Sequence, residues 1–282
     1  KRKRVRLDGA VCERLADAVG ALPVAMLSPA DVELVAGGPS VRRRFLDIML
    51  AVTSRGYLRA LQRYRAALVR RNAALRDGTR APAARAVDVW EEPLAEHGAT
   101  LWVEREAWVE SVATRFAELA SAIGGDALTI RYASSAPPLE SAEGPREGLT
   151  RLFAQQRVSD LRFGLTRSGP HRDDLLITIA GADGMQRELR VFGSAGQQRT
   201  AAIALRLLEA ATLHDRRGGA PLVLLDDPFA ELDVPRTQRI VSLLSESGLG
   251  QTILAVPRES DIPGGLPRLQ RFRISAGVLR RE

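Results

Sequence analysis

The stretch Pro221-Leu-Val-Leu-Leu-Asp-Asp-Pro-Phe-Ala-Glu-Leu-Asp233 decides how this chain is read. Leu222 to Leu225 form a short, continuous apolar run, the pattern of a strand buried on both faces. The run ends in two carboxylates, Asp226 and Asp227. Acids at the end of a buried strand are costly unless they hold a cation or polarise a water. This is the layout of a Walker B strand, whose first acid organises Mg²⁺ on a nucleotide phosphate while the next orients the attacking water. An edge acid that merely caps the following helix gives the same local pattern, so a second motif is needed.

That motif lies one helix upstream. Phe192-Gly-Ser-Ala-Gly-Gln-Gln-Arg-Thr200 runs into Ala201-Ala-Ile-Ala-Leu-Arg-Leu-Leu-Glu-Ala-Ala211, a helix by composition and by the spacing of its apolar residues. Ser194 with Gln197 three positions on is a capping box. Gly193 and Gly196 allow close approach of backbone to a ligand. Free N–H groups and the positive end of the helix dipole make the turn an anion site. Signature turn, helix and Walker B strand, in that order, describe the C-terminal lobe of an ABC-type ATPase head.

Further blocks extend the reading over nearly the whole chain. They are Leu27-Ser-Pro-Ala-Asp-Val-Glu-Leu-Val-Ala-Gly-Gly-Pro-Ser-Val-Arg-Arg-Arg-Phe-Leu-Asp47, then Tyr57-Leu58 through Tyr64 to Arg71-Asn72, and Gly164-Leu-Thr-Arg-Ser-Gly-Pro-His-Arg-Asp-Asp174. With the two motifs above they form an ordered set in which the chain resembles the RecF family of SMC-like ATPases. The resemblance implies an α/β fold, an ABC-type ATPase head with a mixed sheet and an inserted α-helical hairpin lid or arm. It divides the chain into residues 1–38 from the N-terminal part of the head, 39–163 forming the arm, and 164–282 forming the C-terminal lobe.

It also implies a function. Two heads would sandwich two ATP molecules, the P-loop of one facing the signature turn of the other. Gly193, Ser194, Gly196 and Gln197 would hold nucleotide across an ATP-dependent homodimer. Asp226 would position Mg²⁺ and Asp227 would act as the base. Aspartate is a methylene shorter than the glutamate many relatives carry, so slow turnover is expected. Glu231-Leu232-Asp233 matches the D-loop, with Asp233 reaching across the interface. The implied partners are single-stranded, gapped and duplex DNA and recombination mediator proteins, in the cytoplasm.

Two features depart from the pattern. A P-loop needs a lysine after Gly-x-x-x-x-Gly, and Lys1 and Lys3 are the only lysines. The chain is therefore expected to lack the N-terminal P-loop portion of the head and, by itself, to bind and hydrolyse ATP poorly. A nucleotide-independent DNA- or protein-binding scaffold is the alternative. Second, the strand after Walker B ends Leu254-Ala-Val-Pro257-Arg258, with no histidine to sense a γ-phosphate. The three histidines (97, 171, 214) and Cys12 provide no zinc cluster. His171, inside a family block, is either a structural hydrogen-bonding residue or a ligand contact.

Charge points to a polyanion. The net charge of +7 favours DNA as partner. Residues 42–80 hold eleven arginines and two acids, whereas 86–122 hold eight acids and two arginines. Either the first helical segment presents a basic face to phosphates, or the two segments neutralise each other through weak surface pairs. Arg42, Arg43 and Arg44 stand at a helix start, where the dipole disfavours cations, and are candidate DNA contacts. A single cysteine fits a reducing compartment, and no apolar run reaches membrane-spanning length.

Periodicity places the remaining elements. Arg42–Arg76 reads as one helix with an apolar stripe at Tyr57, Leu61, Tyr64 and Leu68, ended by Asp77-Gly78 and Pro82. Val87–Ile123 reads as a second, with its tryptophans in the packing between the two. Strands are expected at 1–7, 24–27, 128–132 and 253–256. Hairpins are expected over 175–191 and 272–279, a helix over 148–162 and a loop over 134–144.

Overall fold

The computed structural model describes residues 4–77, 83–136, 143–181, 183–230, 232–246, 250–266 and 269–282. A hairpin of β1 (Arg6–Leu7) and β2 (Ala10–Val11) opens them, turning at Asp8-Gly9. Then come β3 (Val24–Leu27), the short α1 (Glu33–Ala36), α2 (Pro39–Thr53), α3 (Arg55–Asp77) and α4 (Ala83–Gly124). β4 (Leu128–Ala133), α5 (Pro145–Phe163), β5 (Asp174–Ala180), β6 (Gln186–Glu188), α6 (Leu189–Phe192) and α7 (Ala195–Arg217) follow. β7 (Leu222–Asp226), α8 (Val234–Glu246), β8 (Thr252–Ala255) and the hairpin β9 (Phe272–Ser275) and β10 (Val278–Arg281) complete the order. Of the expected turns and loops, Gly78, Pro82 and residues 137–142 lie outside the described residues, as do Lys1 to Lys3 of the first expected strand.

Two sheets organise the chain. One is parallel, in the order β3–β7–β8, so the Walker B strand β7 is central and Asp226 pairs with Ala255. Its residues alternate: Val223 and Leu225 are buried with Ile203 and Leu213 of α7 and Ile240 of α8, whereas Leu222 and Leu224 are half-buried. The two-sided burial expected from the unbroken apolar run is thus one-sided here. The other sheet is antiparallel, in the order β4–β5–β6. Leu128, Ile130, Leu175 and Ile177 turn its inner face into a large core shared with α2, α3, α4, α5 and α7. That core and the β4–β5 pairing both run across residue 163, so arm and head are packed as one body at this joint.

The arm departs from the expected single helix over 42–76. Ser54 leaves the helical region at φ −129°, its Oγ accepts the N–H of Tyr57 at 3.1 Å, and a new helix starts. Ser54 is therefore the N-cap of α3, a signal present in the sequence but masked by the apolar period running through it. α4 is 42 residues long and carries Pro93 in its interior, where one backbone donor is missing. α3 and α4 pack along each other through Tyr57, Leu61 and Tyr64 on one side and Leu94, Leu101 and Trp108 on the other. Trp102 and Trp108 are core residues, as expected, with Trp108 donating Nε1–H to Thr212 at 3.0 Å.

Buried ion networks tie the arm together. Arg105 donates to Asp47 (2.7 Å), to the Tyr57 hydroxyl (2.9 Å) and to the Pro170 carbonyl (2.7 Å), joining four segments. Burial pulls its pKa down, but Tyr57 and Asp47 outweigh this and raise it well above the usual arginine value, so it stays charged. Arg71, fully buried, donates to Asp160 and Glu91.

Candidate functional site

The signature turn is built by reciprocal capping. Ser194 Oγ accepts the N–H of Gln197 at 3.2 Å, and Gln197 Oε1 accepts the N–H of Ser194 at 2.9 Å. This starts α7, 23 residues long, with its first turn open to solvent. Upstream, the strand expected to continue to Val191 stops at Glu188, and Leu189–Phe192 coil into one helical turn. Leu189 is buried, and Gln198 donates its amide toward the carbonyls of Leu189, Arg190 and Gly193. Tertiary anchoring of Leu189 and the carbonyl cap from Gln198 override the alternating pattern.

Residues that the sequence did not single out complete this turn. Gln197 Nε2 donates to Asp126 at 3.0 Å. Arg236, on the first turn of α8, lies so close to Gly196 that a Cβ there would meet its Nη1 at 2.5 Å. Its guanidinium stands 3.7 Å from Asp126 and 3.9 Å from Asp233, beyond hydrogen-bond reach of both. Asp233 accepts the N–H of Arg236 at 2.8 Å and caps α8. Gly196 and Asp233 thus meet at Arg236, and Ser194 and Gln197 are linked to them through the cap and Asp126. Gly193 stands between the α6 turn and the Ser194 cap, and Glu231 lies outside the described residues. The only sequence signal for Arg236 is its position three residues after Asp233 on the same helix start.

At the other end of the site, Asp226 is exposed at the tip of β7. Asp227 follows in the left-handed region at φ 46°, a conformation aspartate tolerates better than most residues. Its N–H is held by the Ala255 carbonyl at 2.8 Å, which ties the turn to β8. Arg199 of the signature helix reaches the Asp227 carbonyl at 3.5 Å, linking the two motifs. Neither aspartate's carboxylate makes a hydrogen bond or ion pair with the described residues. The pair is therefore open to a hard cation and its waters, which suits Mg²⁺. Among the described residues there is no cluster of three metal ligands. Phosphate oxygens and water would have to complete the coordination, the usual manner for Mg²⁺ on a nucleotide.

Of the three arginines expected to meet DNA, Arg42 is a correction. It is 5% exposed, and its guanidinium grips Asp174 through two 2.8 Å bonds and reaches the Gly37 carbonyl at 2.7 Å. It fastens α2 to the start of β5. Arg43 donates to the Asp173 carbonyl at 2.6 Å and is half-buried, while Arg44 is exposed. The unfavourable placement of cations at the start of α2 is thus explained, for Arg42 and Arg43, by the Asp173-Asp174 pair.

His171 proves to be structural. Its Nδ1 accepts the Tyr64 hydroxyl at 2.7 Å and its Nε2 donates to the Thr166 carbonyl at 3.0 Å. Beside it Gly169, at φ +122°, packs against Tyr64 and Phe153, a place and conformation that suit glycine alone. Burial lowers the His171 pKa to about 4. Its ordinary value is about 6.5, so the neutral ring contributes stability that is complete above that pH and is lost as pH falls toward 4. A displacement of this size corresponds to roughly 3 kcal/mol of folding free energy. His171→Gln should therefore be destabilising at pH 7 and progressively less so relative to wild type down to pH 4, read from urea unfolding at several pH values. A penalty independent of pH would refute the assignment.

A central parallel strand ending in an open acid pair, a capped anion-binding turn one helix before it and an inserted helical arm define this chain as part of an ABC-type ATPase head. A solved SMC head bound to the C-winged helix domain of ScpA shares the fold, with a TM-score of 0.50 at 14% identity over the whole chain and 64% of that chain. No protein-family model matches. The DNA replication and repair protein RecF of Herpetosiphon aurantiacus is 34% identical over 98% of this chain and 70% of its own length. The solved recombination mediator protein RecF–ATPrS superposes with a TM-score of 0.84 at 29% identity, over 99% of this chain and 73% of that one. The chain belongs to the RecF family of DNA replication and repair proteins.

Proposed function

We propose that this chain supplies the signature, Walker B and D-loop half of an ATP-switched, DNA-binding RecF ATPase. The observation that carries the reading is the open signature turn with a loosely held guanidinium beside it. Ser194, Gly196 and the free N–H groups of the α7 start, with Arg236 at their side, make a strongly anion-selective surface facing outward. A γ-phosphate presented by the P-loop of a second copy fits that surface. Asp226 would hold Mg²⁺ through its water shell, and Asp227 would orient the attacking water. Mg²⁺ supplies charge neutralisation on the phosphates. Asp233, whose side chain is 57% exposed, keeps one oxygen available to a partner head. ATP would close the dimer and assemble a DNA surface, and hydrolysis would open it. Recombination mediator proteins, and single-stranded, gapped or duplex DNA, are the partners proposed on family grounds.

The test uses the full-length polypeptide in sedimentation velocity, with a slowly hydrolysed ATP analogue or with ADP. A dimer is expected with the analogue alone. Ser194→Arg should abolish it, because the larger cation fills the turn, while costing only about 1 kcal/mol of stability through the lost cap. A variant that still dimerises as wild type does would rule out the signature role.

A further inference from the structure

We infer that the outer face of α3 is a phosphate-tracking surface for DNA, with Arg59, Arg63 and Arg70 as its contacts. This rests on the DNA-binding reading above and goes beyond it by assigning the face. At about 100° per residue these three side chains fall within roughly 40° of arc, about 150° around the helix from the buried stripe of Tyr57, Leu61 and Tyr64. All three are exposed. Along the axis they stand about 6 Å and then about 10 Å apart, on a rigid helix.

What marks this face is that its charge stays unpaired. Three acids of α4 have other partners: Asp88 and Glu91 pair with Arg157 of α5, Glu92 with Arg146 of α5, and Glu91 also with buried Arg71. None of Arg59, Arg63 and Arg70 makes an ion pair with a described residue. Arg70 lies over the Trp90 ring at 4.8 Å, a contact that fixes the guanidinium without neutralising it. Three of the four other arginines of the helix differ. Arg65 pairs with Asp47, Arg71 with Asp160 and Glu91, and Arg55 donates to the Ala16 and Asp17 carbonyls. Neutralisation by α4 therefore does not account for Arg59, Arg63 and Arg70, although it does for Arg71. A row of like charges on one helix face repels itself and is relieved by a polyanion whose counterions are released on binding.

The experiment is a salt titration of duplex binding by the full-length polypeptide with a slowly hydrolysed ATP analogue. It compares wild type, Arg59→Gln/Arg63→Gln, and the off-face control Arg131→Gln/Arg216→Gln, which has the same net charge change. Glutamine keeps the helix propensity. The α3 variant should bind about tenfold more weakly near 0.1 M salt, with a log–log salt slope shallower by about 1.8, or about 0.9 per lost phosphate contact. The control should stay within about twofold of wild type. Equal losses in both variants would reduce the effect to net charge and overturn the assignment, as would an α3 variant with wild-type slope. Failure of wild type to bind duplex at all would instead remove the DNA-binding reading on which the inference stands.

Discussion

Arg71→Met should cost about 3–5 kcal/mol, the range for removing one partner from a buried charge network. Arg71 has no exposure, and its Nη1 donates to Asp160 (2.7 Å) and Thr166 (2.8 Å) while Nη2 donates to Glu91 (2.9 Å). Asp160 is equally buried. With the guanidinium gone, Glu91 keeps Arg157, but Asp160 retains among these contacts only the N–H of Arg167 at 3.1 Å. An ionised carboxylate so enclosed must either take up a proton or open the core to water. A loss of this size is a large share of the 5–15 kcal/mol that typically holds a domain together. It should lower the melting temperature by on the order of 10 °C, read by calorimetry. Adding Asp160→Asn should recover part of the loss, since the amide oxygen still accepts from Arg167 and no charge is stranded. A single variant within about 1 kcal/mol of wild type would mean that the network is not a keystone of the arm. Arg71→Lys should rescue little, because a point charge cannot reach Asp160, Thr166 and Glu91 together.

These networks also show where the sequence was readable and where it was not. The core stripe of α3 was legible because Tyr57, Leu61, Tyr64 and Leu68 follow the helical period. The capping box at Ser194 was legible because its chemistry is local: donor and acceptor are three residues apart. The Walker B strand was legible as a strand, but its one-sided burial was not, since an unbroken apolar run does not say which face a neighbour covers. Arg42 was misjudged for a related reason. A run of three arginines reads as surface charge, and only the return of Asp173-Asp174, some 130 positions later, shows that two of the three are interior ties. Likewise the acids of α4 looked like partners for α3, yet Asp88 and Glu92 pair with α5, and Glu91 is shared between α5 and the buried Arg71 of α3. Long-range pairing of charges carries no periodic signature, so charge counts alone cannot tell an interior tie from an open face.

Asp227→Asn should lower ATP turnover of the full-length polypeptide by about a hundredfold or more, the scale for losing a positioned base. Its fold should survive, because asparagine tolerates the left-handed backbone at φ 46° as well as aspartate does. The main-chain bond to the Ala255 carbonyl is also untouched. Nucleotide binding and ATP-dependent dimerisation should persist, so the variant should accumulate in the closed, DNA-binding state. Asp226→Asn should behave differently. On the proposed reading it removes the strand-tip charge that would hold the cation, so turnover should fall and the Mg²⁺ concentration for half-maximal rate should rise. For Asp227→Asn that Mg²⁺ requirement should be nearly unchanged. Steady-state rates across a Mg²⁺ titration separate the two roles. If both variants shift the Mg²⁺ requirement equally, the two acids act as one metal site and no base has been found. If Asp227→Asn turns over within about twofold of wild type, the attacking water is oriented by another group. The position of Asp227 argues for the base role: left-handed backbone just past a strand end, pinned on one side to β8 and on the other to Arg199, holds a short side chain in one direction. Aspartate reaches less far than glutamate, so on the proposed reading this geometry would hold the base farther from the water than a glutamate would, and slow turnover with a long-lived closed state is the expected result.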